Sequence, residues 1–172
     1  IYNRGNNHRK TFHQDIDYQI FLALVDKYLL PVCEIYAYCL LSNHYHILIR
    51  TNDTLNSYEF SKAFANMLTA YTLKMNIKYG MRGTMFQGRF RRVEIKSEEQ
   101  LKRTILYIHM NPIKHSYSDN YKTYKYSSFR QYYIKNTSLE IQPIVEVFHD
   151  ISNFEFIHDV AAAQLLNQGR NL

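Results

Sequence analysis

The chain has few of the features that would place a protein outside the cell or in a membrane. Only two cysteines occur in 172 residues, Cys33 and Cys39. Six positions apart on one strand, they would stand about 20 Å from each other. A disulfide holds its Cα atoms within about 7 Å. Free thiols and a reducing, cytoplasmic setting are therefore expected. No stretch approaches the ~18 apolar residues of a membrane span, and no secretory signal is expected ahead of the domain. There is no Gly-x-x-x-x-Gly-Lys loop to cradle a nucleotide's phosphates. Internal repeats and low-complexity tracts are absent too, and 46% apolar residues with mixed charge exclude general disorder.

What is present is basic. Lys and Arg number 21 against 15 Asp and Glu, a net charge of +6. The sign is unevenly spread. Residues 138–172 hold one Arg against five acids, a net −4, which leaves residues 1–137 at +10, with 20 basic against 10 acidic residues. A basic body of that kind suits a polyanion such as nucleic acid.

The periodicities predict an α+β order. Ile20, Phe21, Leu24 and Tyr28 recur at helical spacing, and Pro31 stops that helix, giving 15–30. The apolar, aromatic run 32–41 reads as a strand, Ser42-Asn43 as a tight turn, and 44–50 as the second strand of a hairpin. Phe60, Phe64, Met67, Leu68, Tyr71 and Met75 make the apolar stripe of a long helix, 55–79, closed by Gly80. Residues 84–95 read as a strand with a Gly-containing, irregular start. Ser97 caps a last helix, with Gln100 as its capping-box partner, and Pro112 ends it near Asn111. A strand at Ile1 to Arg4 completes β-α-β-β-α-β plus one helix. That is a ferredoxin-like (RRM-like) antiparallel sheet with helices on one face. Two regions are expected: a domain over 1–135, and an acidic, helical C-terminal extension over 136–172.

Three groups of residues could carry chemistry. His44 and His46 alternate with Tyr45 on one strand, so both imidazoles share a face with Cα atoms about 6.6 Å apart, as two ligands of one metal ion would. With 8 His in the chain, such a triplet arises by chance in about one sequence in three, so alone it identifies nothing. Tyr107 and Asn111 stack one turn apart on the last helix, sharing a polar face with Gln100, Arg103 and Thr104. With 16 tyrosines present, the Tyr-x-x-x-Asn spacing recurs at Tyr2/Asn6 and Tyr132/Asn136, but only the middle pair lies on a well-marked helix. Residues 82–92 interleave Arg with Phe and Gly. Guanidinium groups bind phosphate bidentately and rings stack on bases.

The order of these motifs resembles single-tyrosine HUH transposases, the insertion-sequence-200-like group and especially the REP-associated tyrosine transposases. The resemblance rests on Tyr2-Asn3-Arg4-Gly5-Asn6-Asn7, Asn43-His44-Tyr45-His46-Ile47-Leu48-Ile49, Phe86-Gln87-Gly88-Arg89-Phe90, Tyr107-Ile108-His109-Met110-Asn111-Pro112 and Tyr126-Ser127-Ser128-Phe129, in that order over residues 1–130. The segment Ile113-Lys114-His115-Ser116-Tyr117 departs from the family pattern.

The resemblance implies a DNA transposase that cleaves and rejoins single-stranded DNA at hairpin-bearing element ends or REP-type repeats. Tyr107 would be the nucleophile, forming a 5′-phosphotyrosine. His44, His46 and Asn111 would hold a divalent metal, Mg²⁺ or Mn²⁺. Arg4, Arg89, Arg91 and Arg92 are the expected DNA contacts, and the protein would act as a monomer or homodimer. Two readings compete. A noncatalytic ferredoxin-like nucleic-acid binder needs no meeting of Tyr107 with the His pair. A metal-dependent nuclease would hydrolyse rather than transfer. A histidine-triad nucleotide hydrolase wants a third His where Leu48 stands.

Overall fold

The computed structural model describes residues 1–52, 56–134 and 137–169. Three strands, β1 (Tyr2–Arg4), β2 (Cys33–Leu41) and β3 (His44–Thr51), form an antiparallel sheet in the order β1-β3-β2. β3 lies in the middle. His46 stands opposite Tyr2 on one side and Cys39 on the other, and Tyr45 stands opposite Asn3 and Leu40. Cys33 and Cys39 are free and buried, as their spacing requires.

Helix α1 (Asp15–Leu29) and helix α2 (Ser57–Tyr79) pack on each other and cover one face of the sheet. Each helix has an N3 carboxylate that accepts from its N-cap amide, Asp17 from Gln14 N–H in α1 and Glu59 from Asn56 N–H in α2. Asn56 Oδ1 accepts from the backbone N–H of Tyr58 and Glu59, and Glu59 accepts in return from Asn56 N–H at 3.1 Å, a complete capping box. Gly80 ends α2 in the left-handed region at φ 61°, where a side chain would be strained. Of the expected stripe, Phe60, Phe64, Met67, Tyr71 and Met75 are buried. They enclose Tyr45, whose ring lies 5.2 Å from Phe21, 6.3 Å from Phe64 and 5.7 Å from Phe86. Burying an aromatic ring of this kind contributes roughly 2–3 kcal/mol.

Two expectations need correction. Residues 84–95 do not form a regular strand. The chain does run along the free edge of β1, where the fourth strand of the fold belongs, but only through the isolated bridges Tyr2–Arg91 and Gly5–Phe86. Gly88, at φ 62°, turns the chain between them, so the ladder cannot propagate. Helix α3 (Glu98–Lys114) also runs through Pro112 rather than stopping there. Proline forfeits one N–H near the helix end, and the last turn still closes through His115 N–H to Asn111 C=O at 3.0 Å. The Ser97 cap is present, although Gln100 reaches back to Lys96 N–H instead of Ser97.

Helix α3 packs against β2 and β3 on the face of the sheet away from α1 and α2. The acidic extension forms α4 (Gln142–Val147) and α5 (Ile151–Gly169), separated at His149, whose φ is 72°. Helix α5 packs on α3, and Phe148 and Phe154 join the common core. The expected boundary at 135/136, and Asn136 with it, lie outside the described residues. Among the described residues no helix is long and apolar enough to cross a membrane.

The start of α1 is tied to the end of α2 through one buried carboxylate. Asp17 accepts from the N–H of His13 and Gln14, from Tyr79 Oη at 2.7 Å and from Lys78 Nζ at 2.6 Å. Burial pushes its pKa up, but Lys78, Tyr79 and the two amides outweigh this and hold it below the ordinary carboxylate value. A depressed pKa adds stability above about pH 4 that is lost as pH falls through the folded value. Asp17→Ala is expected to cost about 3 kcal/mol in urea unfolding and to flatten the acid limb of the stability profile below about pH 4.

Candidate active site

The tight turn Ser42-Asn43 fixes the entry to β3. Gly5 N–H bonds Asn43 C=O at 2.7 Å, while Thr11 and Phe12 N–H both bond Ser42 C=O. Gly5 is required at this crossing, since a Cβ there would lie 2.0 Å from Arg9 O. Asn43 Oδ1 lies 2.7 Å from His44 Nδ1. An amide oxygen can only accept, so Nδ1 carries the proton and Nε2 keeps its lone pair. Strand alternation then does the sorting. Tyr45 and Ile47 enter the core beneath α1 and α2, while His44 and His46 emerge on the α3 face with ring centroids 5.5 Å apart.

Helix α3 brings the other two sequence-predicted residues to the same place. The Tyr107 ring stands edge-on to His46, with centroids 5.2 Å apart, and is 40% exposed. Asn111, one turn on, is fully buried. Its Nδ2 donates to Tyr107 C=O at 2.7 Å, and its Oδ1 is buried without any hydrogen-bond partner. The Asn111 side chain also acts on both neighbours, raising the pKa of His44 and lowering that of Tyr107. The site is assembled from a single chain. Gln100, Arg103 and Thr104, assigned to the same helix face, serve the helix itself. Gln100 caps, Arg103 pairs with Glu99, and Thr104 bonds Gln100 C=O.

His44, His46 and Tyr107 line one cavity of about 640 Å³ together with Arg4 and Arg91. Arg89 and Arg92 do not join them. They line a groove between α2 and residues 83–92. The sequence reading missed several residues in or beside the cavity, some of which act directly on its groups. Asn43 orients His44. Tyr2 stacks on His46 at 5.7 Å. His115 sits 4.7 Å from the His44 ring, and Lys114 Nζ lies 4.7 Å from the centre of the Tyr107 ring. Spacing held the signal for His115, because 107, 111 and 115 step along one helix face. The segment that departs from the family pattern is thus part of the site. Its Tyr117 also lies 2.5 Å from Ser42 Oγ in the hairpin turn.

Both strand histidines are held neutral. Burial, then neighbouring His115, lowers the pKa of His44 to about 4, against a smaller opposing pull from Asn111. Burial, then His44, lowers that of His46 to about 3. Burial raises the Tyr107 phenol above its ordinary value, with Asn111 pulling the other way. The arrangement can therefore offer two neutral imidazoles and an amide oxygen to a cation. Its phenol needs help to ionise. Among the described residues no three His, Cys, Asp or Glu side chains are placed to hold a metal ion.

Fold and site together define a ferredoxin-like α+β domain with a His-hydrophobic-His strand and one tyrosine set against it from a helix. No family model matches the chain. A protein of Haemophilus influenzae, provisionally named a REP-associated tyrosine transposase, is 28% identical over 120 residues. The match covers 64% of each chain, so this chain spans less than two thirds of that relative's length. A solved structure of a REP-associated tyrosine transposase bound to a REP hairpin has the same fold. Its TM-score is 0.66 at 19% identity, covering 78% of this chain and 76% of that one. Both matches fall among the REP-associated tyrosine transposases and bear out the resemblance that the motifs carry.

Unfolded histidine titrates near pH 6.5. The folded values for His44 and His46 are about 4 and about 3, so the neutral rings favour the folded state at pH 7. That contribution is lost as acidification passes from about pH 6.5 through the folded values. Ring-proton NMR is expected to show both side chains still neutral at pH 5. Titration of either near pH 6.5 contradicts the burial argument.

Proposed function

We propose that the chain is a metal-dependent transposase that cleaves and rejoins single-stranded DNA, with Tyr107 as nucleophile. The observation that carries this reading is the meeting of Tyr107 with the His pair, at 5.2 Å between the Tyr107 and His46 rings. A noncatalytic binder has no need of that contact. The substrate proposed is hairpin-bearing single-stranded DNA at element ends or REP-type repeats. The hairpin-bound relative and the +10 charge of residues 1–137 support it.

Tyr107 Oη attacks the scissile phosphorus as its proton leaves. A P–Oη bond forms, the P–O3′ bond breaks, and the products are a 5′-phosphotyrosine and a free 3′-hydroxyl. The phosphotyrosine keeps the bond energy of the phosphodiester, so a second 3′-hydroxyl can reverse the step and be joined without ATP. His44, His46 and Asn111 are the proposed holders of a divalent ion, Mn²⁺ or Mg²⁺. The buried, unpartnered Asn111 Oδ1 fits this role, since an orphaned buried carbonyl is costly unless something is bound to it. When bound, the ion supplies positive charge to the scissile phosphate. Lys114 above the Tyr107 ring favours the phenolate electrostatically. Arg4 and Arg91 are positioned to take flanking phosphates inside the cavity, and Arg89 and Arg92 to take them outside it.

The test is an adduct assay with Mn²⁺ and labelled hairpin DNA from the flanks of the gene, run on a denaturing gel. A metal-dependent covalent band is expected, absent in Tyr107→Phe. DNA binding with no band, or a band that survives Tyr107→Phe, overturns the reading. Asn43→Ala frees the His44 ring and should weaken Mn²⁺ binding by about 10–100-fold, read by Mn²⁺ electron paramagnetic resonance. Arg91→Ala should weaken hairpin binding and reduce the salt slope by about one, with the tyrosine chemistry intact at saturating DNA.

A further inference from the structure

Behind the site, on the buried side of α3, lies a line of polar groups that the proposed reaction does not use. His109 and His158 are both fully buried. His158 Nδ1 lies 2.6 Å from Phe154 C=O, and His158 Nε2 lies 2.9 Å from His109 Nδ1. His109 Nε2 lies 2.9 Å from Ser128 Oγ, which accepts from Tyr38 N–H at 2.8 Å. Burial keeps both rings neutral. The carbonyl of Phe154 can only accept, so every proton is assigned. His158 Nδ1–H donates to Phe154, His109 Nδ1–H donates to His158, and Ser128 O–H donates to His109. The line starts in α5, crosses α3 and ends on the backbone of β2.

His109 lies two residues from both Tyr107 and Asn111, about 200° around the helix from each. Any rotation of α3 that moves Tyr107 also pulls His109 out of this line, leaving buried imidazole nitrogens unpaired. Around it the rings of Phe129, Tyr132 and Phe154 stand 5.5–6.0 Å from His109. The acidic residues of α5 dock it further. Lys122 Nζ bonds Glu155 at 2.6 Å and Asp159 at 2.9 Å, and Tyr121 Oη bonds Asp159 at 2.7 Å.

We infer that His158 is a positioning residue for Tyr107: acting through His109, the C-terminal helix sets the rotation of α3 that holds the nucleophile against His46. The inference rests on Tyr107 being the nucleophile. A ring carried ~5–6 Å from the helix axis moves about 1 Å for a ~10° rotation. Misplacement of that size costs about 100-fold in rate.

The test compares His158→Leu with His158→Gln in the full chain, using the same flanking hairpin DNA and Mn²⁺. Leucine leaves the His109 Nδ1–H without an acceptor. Glutamine can accept from His109 and donate to Phe154. At saturating DNA, His158→Leu should slow adduct formation by about 100-fold, with hairpin affinity within about twofold of wild type, and His158→Gln should restore most of the rate. By ¹⁵N NMR, a slowly exchanging His109 Nδ1–H should be seen in wild type and His158→Gln and lost in His158→Leu. Ser128→Ala breaks the line at its other end and reads the same effect if His158→Leu does not fold. A wild-type rate in His158→Leu or Ser128→Ala overturns the inference while leaving Tyr107 as nucleophile. A wild-type protein that forms no adduct, although the His109 N–H signal is present, overturns the nucleophile reading and the inference with it.

Discussion

Because β3 is hydrogen-bonded along both edges, to β1 and to β2, its register cannot drift, and the rest of the molecule is arranged around that fact. A strand alternates its side chains with a period of two, so a slip of one residue would exchange its faces completely. In β3 such a slip would drive His44 and His46 into the core between α1 and α2, and expose Tyr45 and Ile47. The apolar half of the strand therefore fixes the polar half. The rings around Tyr45 hold the register, and that register delivers two imidazoles to the opposite face.

That opposite face is covered too, which changes its chemistry. An open sheet face would leave His44 and His46 solvated and ready to protonate. Under α3 they are half-buried and neutral, with lone pairs available to a cation. The same burial raises the pKa of the Tyr107 phenol. The site thus suppresses charge on its two strand imidazoles and on its phenol alike. It leaves cationic side chains, Arg4, Arg91 and Lys114, around the rim. Asn111 is the hinge of this arrangement. Half of its amide is spent on the turn that carries Tyr107, and the other half is buried without a partner.

Helix α3 has to satisfy two surroundings at once. One side faces the cavity with Tyr107, and the other enters a core shared with the C-terminal helices through Ile105, Ile108 and His109. The acidic extension looks in composition like an appendage to a basic domain. In three dimensions two of its acids are held by Lys122, and its aromatic side completes the packing behind the helix that carries Tyr107.

The amphipathic periodicities of α1, α2 and α3, the β2–β3 hairpin and the free cysteines were legible in the sequence, because each depends on local spacing. His44, His46, Tyr107 and Asn111 were legible as candidates for the same reason. The edge segment 84–95 was misread because its residues favour a strand while Gly88 turns the chain, a conflict that only pairing with β1 resolves. Pro112 was misread because a proline near a helix end forfeits little when packing on both sides holds the last turn. What tertiary structure alone decided is which residues meet. Chain spacing has no means of bringing position 46 to position 107, of separating Arg91 from Arg89, or of aligning Phe154, His158, His109, Ser128 and Tyr38 into one hydrogen-bonded line. Side-chain alternation and helix pitch set the direction of each group, and the packing of α3 between the sheet and α5 sets the distances.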